Sequence, residues 1–316
     1  MEHRVALAHA SGIAAEAILE KLPESGLTPD SLVFLDHETR AGNRLAYADR
    51  YLNLQDQAGF DFSECALLLL PEADADLERA ALAQGCVVAS HTLGGDAPVL
   101  FAGEQSQTPR ISFDQNRLRL AGPELCCLVP ALLALQRLAA FEQINCVWLR
   151  SAEFHGKGGV EELASQTINL LNAREARAAV YPEQIAFNLL SEAGDVRFGD
   201  DLRRILVNNS CSITQQSVNV PIFHGFAAAV QLRFASKVSP KACESLLSSL
   251  DKMQVRHAAA SPISDCNQSF SCVISHLEQA PNQPSSLSFW MIADPMRYGL
   301  ANNYVNVTDF LLKSFL

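Results

Sequence analysis

Cys126 and Cys127 precede the strongly apolar run from Pro130 to Phe141. A cysteine at the start of a helix can have its thiolate stabilised by the dipole, which is the chemistry of a nucleophile. The neighbours of Cys126 (Glu124, Leu125, Leu128) work against this, because apolar surroundings and an acid both raise a thiol pKa, so the residue reads equally as core. A second candidate centre is the turn His9-Ala10-Ser11-Gly12-Ile13 between a strand and a helix. Such a turn can bring backbone N–H groups against a pyrophosphate, and it needs glycine where the chain turns and where it approaches the ligand. His9 would either fill a phosphate site or hydrogen-bond to nearby backbone. Asp36, after the second strand, stands where an acid would accept a ribose 2'-hydroxyl and repel a 2'-phosphate, or else begins a solvated loop. Asp200-Asp201-Leu202-Arg203 gathers two acids and a cation, and also reads as a helix start with favourable acids. There is no C-x-x-C pair and no H-E-x-x-H helix, so no metal site is expected.

These residues must be positioned by a recognisable order of elements. Arg4 to Ala8 is a short buried strand, and Ile13 to Leu22 an amphipathic helix that Ser11 is placed to cap. Strands follow at Ser31 to Leu35, Ala66 to Leu70 and Cys86 to Ala89, with a helix from Ala73 to Gln84 between the last two. Alternating strands and helices imply a parallel sheet, hence a Rossmann-type α/β domain. Beyond the Pro130 to Phe141 helix the pattern changes. Cys146 to Arg150, Ser212 to Pro221, Ala229 to Phe234, Ser269 to His276 and Ser286 to Ile292 are strand-like and widely separated, which predicts an α+β domain with antiparallel or mixed pairing. Tyr304, Val307, Leu311 and Phe315 share a helical face in the last segment, which is expected to return to the first domain. The domains are read as 1–125, with 297–316 packing back on it, and 126–296.

The 316 residues, 48% of them hydrophobic, suffice for two cores. A net charge of -11 without a basic stripe argues against nucleic acid as a partner. No apolar run approaches the roughly 18 residues of a membrane span, and no leader precedes the first strand, so a cytoplasmic protein is expected. The nine cysteines are scattered through apolar segments and are expected mostly as reduced core residues.

Ser217-Val218-Asn219-Val220-Pro221-Ile222-Phe223-His224-Gly225-Phe226-Ala227-Ala228-Ala229-Val230 resembles the V-R-V-P-V-F-x-G-H-S-x-A-V strand of aspartate-semialdehyde dehydrogenases. Two further segments are similar to that family. Gln184 to Leu190 matches I-A-F-N-x-I/L, and Ala293-Asp294-Pro295-Met296-Arg297-Tyr298-Gly299-Leu300-Ala301-Asn302-Asn303 matches A-D-N-x-R-x-G-A-A-x-N. The landmarks cover nearly the whole chain in order. Ala152 to Leu163 mirrors the A-x-x-G-K-x-x-V-x-x-L segment of the Usg branch, paralogues regarded as lacking the dehydrogenase activity, where true dehydrogenases carry S-G-A-G.

The resemblance implies a Cys126 nucleophile, a substrate-binding arginine at the position of Asn219 and an acid–base histidine at the position of Phe226. The last two are lost, and His224, two residues away, is the candidate for a displaced base. Asp200, Asp201 and Arg203 stand in place of E-E-x-K, which handles the substrate amine and phosphate. In the cofactor turn the family's G-A-T-G-x-V-G becomes His9 to Ala15 with Gly12 retained, so His9, Ser11, Gly12, Ile13, Asp36 and Asn303 are the cofactor-binding positions for NAD or NADP, with Asp36 favouring NAD. Two readings follow. One is a catalytically degenerate, homodimeric Usg-type scaffold with residual nucleotide binding, paired through its second domain. The other is an NAD(P)-dependent semialdehyde dehydrogenase of amino-acid biosynthesis, working through a Cys126 thioacyl intermediate.

Overall fold

The computed structural model describes residues 4–95, 99–102 and 116–314. The chain divides into two compact units, Met1–Cys126 with Gly299–Leu316, and Cys127–Tyr298.

In the first unit, β1 (Arg4–Leu7), α1 (Ile13–Lys21), β2 (Leu32–Asp36), β3 (Arg44–Tyr47), β4 (Arg50–Asp56), β5 (Cys65–Leu69), α2 (Ala75–Ala83), β6 (Val87–Ser90) and β7 (Arg117–Arg119) build a sheet in the order β3-β4-β2-β1-β5-β6-β7. All neighbours are parallel except the β3–β4 hairpin. Side chains alternate across a strand, so Ala6, Val33, Leu35, Leu68 and Val88 face one way into a core shared with Leu77 and Ala81 of α2. Val5, Leu7, Leu67 and Leu69, between them, are equally buried. Burial on both faces is what turns these strands into unbroken apolar runs. The hairpin was not expected: its residues are largely exposed and carry Arg44, Arg50 and Asn53, so no apolar run marks it.

α3 (Pro123–Leu135) begins earlier and ends sooner than the apolar run suggests. Pro123 is tolerated in the first turn, where no intrahelical N–H is needed. Pro130 sits inside the helix and has no N–H to return to the carbonyl of Cys126.

The second unit contains β8 (Phe141–Arg150), α4 (Gly156–Leu171), β9 (Leu190–Glu192), α5 (Phe198–Leu206), β10 (Ser212–Asn219), β11 (Phe226–Phe234), α6 (Pro240–Ser248), β12 (Met253–Arg256), β13 (Cys272–Glu278) and β14 (Ser286–Ala293). Its mixed sheet runs β12-β13-β14-β11-β8-β10-β9, with β8–β10 and β12–β13 parallel. Register places Asn219 and Phe226 on either side of Arg150, with Ala293 next to Phe226.

After β14 a wide helical turn, Pro295–Ala301, leads into α7 (Asn302–Ser314), so the final helix starts later than expected; Phe315 lies outside the described residues. In the first unit α7 packs against α1. All nine cysteines are buried and none is in a disulfide.

Candidate functional site

The residues that the family motif assigns to chemistry in the second unit lie along one row of the sheet. Phe226 is fully buried, with its ring centroid 5.9 Å from Trp148 and 6.3 Å from Phe154. Asn219 is buried as well, and its Oδ1 lies 3.3 Å from the His155 Nε2. The His155 ring in turn meets Tyr181 edge-on at 4.7 Å. Between Asn219 and Phe226, the Arg150 guanidinium donates to Glu192 Oε2 at 3.0 Å and lies 5.2 Å from the Phe154 ring centroid. An aromatic cluster thus encloses the Phe226 side chain.

His224 is not on an extended strand with Phe226, as the sequence suggested. It lies in the bend before β11 and faces Glu153. Glu153 is almost wholly enclosed, and it accepts from Gly225 N (2.5 Å), Ser151 Oγ (3.2 Å) and His224 Nδ1 (3.2 Å). Gly225 is required at this turn: its φ is +77°, and a Cβ there would lie 2.8 Å from Pro262 Cβ. The hydrogen bond to Glu153 raises the His224 pKa against the opposing effect of burial. Asp294 completes the group. Burial, with the Glu153 charge second, pushes its carboxyl up to about 6, although it accepts from Met296 N (3.0 Å) and Arg297 N (2.9 Å). In sequence Glu153 is visible only as a departure from S-G-A-G, because its partners come from another strand's turn.

Asp200 and Asp201 occupy the first turn of α5. Arg203 donates to Asp200 Oδ1 (2.7 Å) and to the Cys211 carbonyl (2.9 Å), which ties the cation to its own helix and to the residue before β10.

In the first unit, Cys126 lies in the opening turn of α3 with its N–H already bonded to the Gly122 carbonyl (2.9 Å). Its thiol donates to the Ala121 carbonyl (3.2 Å). Burial, and then Glu124, hold the thiol well above its ordinary range, which opposes the thiolate that a nucleophile needs.

The turn after β1 also differs from expectation. Ser11 does not cap α1; Gly12 is the N-cap residue. The Ser11 N–H and hydroxyl donate instead to Asp36 Oδ2 (2.9 and 2.5 Å), and Arg40 reaches the same hydroxyl. Burial disfavours the charged Asp36, but the hydrogen bonds from Ser11 and from the His37 backbone outweigh it, and the carboxyl is held below its ordinary pKa. His9 adopts φ +49°, a left-handed conformation that favours glycine, and its Nε2 lies 3.4 Å from Asp74 Oδ2. Ile13 opens α1. Asn303 is buried, accepts from Ala102 N (2.9 Å) and donates to the Leu100 carbonyl (3.2 Å), so it pins a loop. The sequence reading also missed His91, after β6. Its Nδ1 lies 3.1 Å from the Tyr304 hydroxyl, and burial lowers its pKa to about 4.

A dinucleotide would need free N–H groups at this turn. Those of Ala10, Ser11 and Gly12 donate to the Leu35 carbonyl (3.0 Å), Asp36 (2.9 Å) and the His9 carbonyl (2.7 Å). A Cβ on Gly12 would lie 2.1 Å from Glu72 Oε1, so a carboxylate stands over the glycine. The N–H groups of Ala10, Ser11 and Gly12 are thus engaged, and Glu72 faces the turn before α1.

A family model described as "Semialdehyde dehydrogenase, dimerisation domain" matches residues 136–298. The chain belongs to the aspartate-semialdehyde dehydrogenase family. Within this family it is 26% identical to the aspartate-semialdehyde dehydrogenase of Legionella pneumophila, over 99% of this chain and 96% of that one. It is 28% identical to the USG-1 protein homolog of Pseudomonas aeruginosa, over 99% and 98%. The crystal structure of aspartate semialdehyde dehydrogenase II complexed with ASA from Vibrio cholerae superposes with a TM-score of 0.87 at 23% identity, covering all of both chains, which establishes the shared fold. The α/β nucleotide-type unit with an α+β partner is thus the fold of this semialdehyde dehydrogenase relative.

Proposed function

We propose that this chain is a Usg-type, catalytically silent member of the family that acts as a homodimeric scaffold, with residues 1–125 and the returning helix as the nucleotide-type domain and 126–296 as the dimerisation domain. The observation that carries the reading is the enclosed Phe226 ring between Trp148 and Phe154, at the position of the family's acid–base histidine. The buried, protonated Cys126 thiol and the absence of the arginine at Asn219 support it, since catalytic groups act as a unit and the loss of one can cost orders of magnitude. Pairing through the second unit is supported by the matched dimerisation domain and by exposed apolar side chains: Ile168 and Leu171 on α4, and Phe187 and Leu189 just after the Ile185-Ala186 segment that packs with Leu163 of α4.

The test is to incubate the purified protein with aspartate semialdehyde, phosphate and either NADP or NAD, and to follow reduced cofactor. No turnover is expected. Turnover that Cys126→Ser abolishes would overturn the reading in favour of the thioacyl dehydrogenase.

A further inference from the structure

Glu162 and Gln166 lie one turn apart on the same face of α4, and both are buried. A buried carboxylate and a buried amide must find partners, and a loop supplies them. Glu162 accepts from the N–H groups of Ala179 (2.9 Å), Val180 (2.5 Å) and Tyr181 (3.3 Å), and from Gln166 Nε2 (3.0 Å). Gln166 Oε1 accepts from Ile185 N (2.8 Å) and Ala186 N (3.1 Å), while its Nε2 also donates to the Arg177 carbonyl (3.1 Å). Two side chains thus take six backbone groups of the segment 177–186 and fasten it to α4.

This clamp holds a turn. Asn188 N donates to the Ile185 carbonyl (3.0 Å) and Asn188 Nδ2 to the Gln184 carbonyl (2.9 Å), and Phe187, third of the four residues from Ile185, has φ +61°. Glycine or asparagine suits that position, so phenylalanine is held there against its preference. Its ring gains no burial in return, being 67% exposed. Strain kept at an exposed aromatic side chain by a buried polar network marks a binding element set in advance of its partner.

The surrounding residues indicate the partner. Of the eleven large apolar side chains exposed among the described residues, five (Ile168, Leu171, Val180, Phe187 and Leu189) fall in this one stretch. Ile168 and Leu171, three apart on α4, make an apolar stripe. The charged residues between Ile168 and Leu189 are Arg174, Arg177, Glu175 and Glu183, which cancel in a chain whose net charge is -11. A second copy can therefore approach here without the like-charge repulsion it meets over the chain as a whole. The whole stretch lies inside the matched dimerisation domain. We infer that Phe187 is the anchor of the homodimer, held ready by Glu162 and Gln166 as positioning residues, and that two-fold pairing seats each ring on the Ile168–Leu171 stripe of the second copy. This rests on the homodimeric reading above and adds to it the anchor, its seat and the clamp.

The test is the dimer dissociation constant of the full chain, from sedimentation velocity over a concentration series, with amide hydrogen exchange read by mass spectrometry. Phe187→Asn removes the ring and suits the left-handed backbone. It should leave the protection of residues 179–186 intact and weaken the dimer at least about tenfold, a change of about 1.4 kcal/mol. Gln166→Leu keeps every exposed apolar side chain, yet it should speed exchange at Ile185 and Ala186 and weaken the dimer as well. Val207, also exposed and at φ +52° but outside the stretch, is the control: Val207→Asn should leave the dissociation constant unchanged. A parent protein that stays monomeric throughout the series overturns the homodimer and its anchor together. A dimer that Phe187→Asn leaves as tight as before overturns the anchor alone, and Gln166→Leu that speeds exchange without weakening the dimer overturns the clamp.

Discussion

Replacing Phe226 with the family's histidine should damage this protein without reviving it. The ring is wholly enclosed and contacts Trp148 and Phe154. Full burial of a Phe side chain contributes about 1.5–3 kcal/mol, and each aromatic contact adds about 0.5–1.5 kcal/mol. An imidazole nitrogen left unpartnered there costs about 1–3 kcal/mol. Allowing for the apolar surface that the histidine still buries, Phe226→His is expected to cost about 4 kcal/mol, whereas Phe226→Leu, which loses both ring contacts but strands no nitrogen, should cost about 1–3 kcal/mol. At about 2–4 °C per kcal/mol for a domain of 150–250 residues, the histidine variant should melt about 8–16 °C lower. Urea titration followed by tryptophan fluorescence isolates the relevant unit, because both tryptophans, Trp148 and Trp290, lie in Cys127–Tyr298. A Phe226→His protein within about 1 kcal/mol of the parent would refute the reasoning, because the pocket would then already accommodate an imidazole. Dehydrogenase turnover by that single variant, or by Phe226→His with Asn219→Arg, would refute it from the other side.

Between pH 8 and 5 the fold carries opposed titrations: His224 and Asp294 add stability as pH falls, while His91, its pKa held at about 4, removes it below the ordinary histidine range. His224 has a raised folded pKa, so its contribution is complete below the ordinary histidine range and is lost as pH climbs through the folded value. Asp294, pushed up to about 6, makes the fold bind more protons than the unfolded chain between its ordinary range and 6, so its destabilisation is fully present only above that window. Asp294→Asn should make the slope of urea midpoint against pH more positive below about pH 6, and an unchanged slope would count against the assignment. Cys126 should resist iodoacetamide at pH 7.5 in the native protein, as read by peptide mass mapping, because its thiol is enclosed and held protonated; rapid labelling there would contradict this. The pair Leu171→Asp and Phe187→Asp should convert a dimer to monomers in sedimentation velocity with the circular dichroism unchanged; a dimer that survives both would place the interface elsewhere.

The strands of the first sheet were legible because both of their faces are buried, and Val5 to Leu7 and Leu67 to Leu70 carry no polar residue to obscure the run. The β3–β4 hairpin was not, because half of its side chains face solvent and Ala48 takes a left-handed turn that its residue type does not announce. α4 was hidden by Gly156, Gly158 and Gly159, which lower helix propensity. Gly159 is there for proximity: a Cβ would come within 2.6 Å of the Ala152 carbonyl and of His155 Cβ. At the candidate site, motif comparison singles out Asn219, Phe226 and Cys126, but their enclosure is tertiary and leaves no local mark in the sequence. Ser11 shows the limit of local reasoning. It has the right residue type and position for a cap, yet Asp36, distant in sequence, takes its hydroxyl.

The nine buried thiols turn the chain into its own opening gauge. Cys65 and Cys86 lie within the first unit's core, while Cys146, Cys243, Cys266 and Cys272 are enclosed in the second. A thiol reagent reaches each only when its surroundings open, so residue-by-residue labelling rates would rank the two units by local stability without any added probe. The same thiols impose a handling constraint. Once unfolded in air, a chain with nine exposed cysteines can cross-link in non-native pairs, so refolding yield should depend on reductant far more than the native protein's behaviour does.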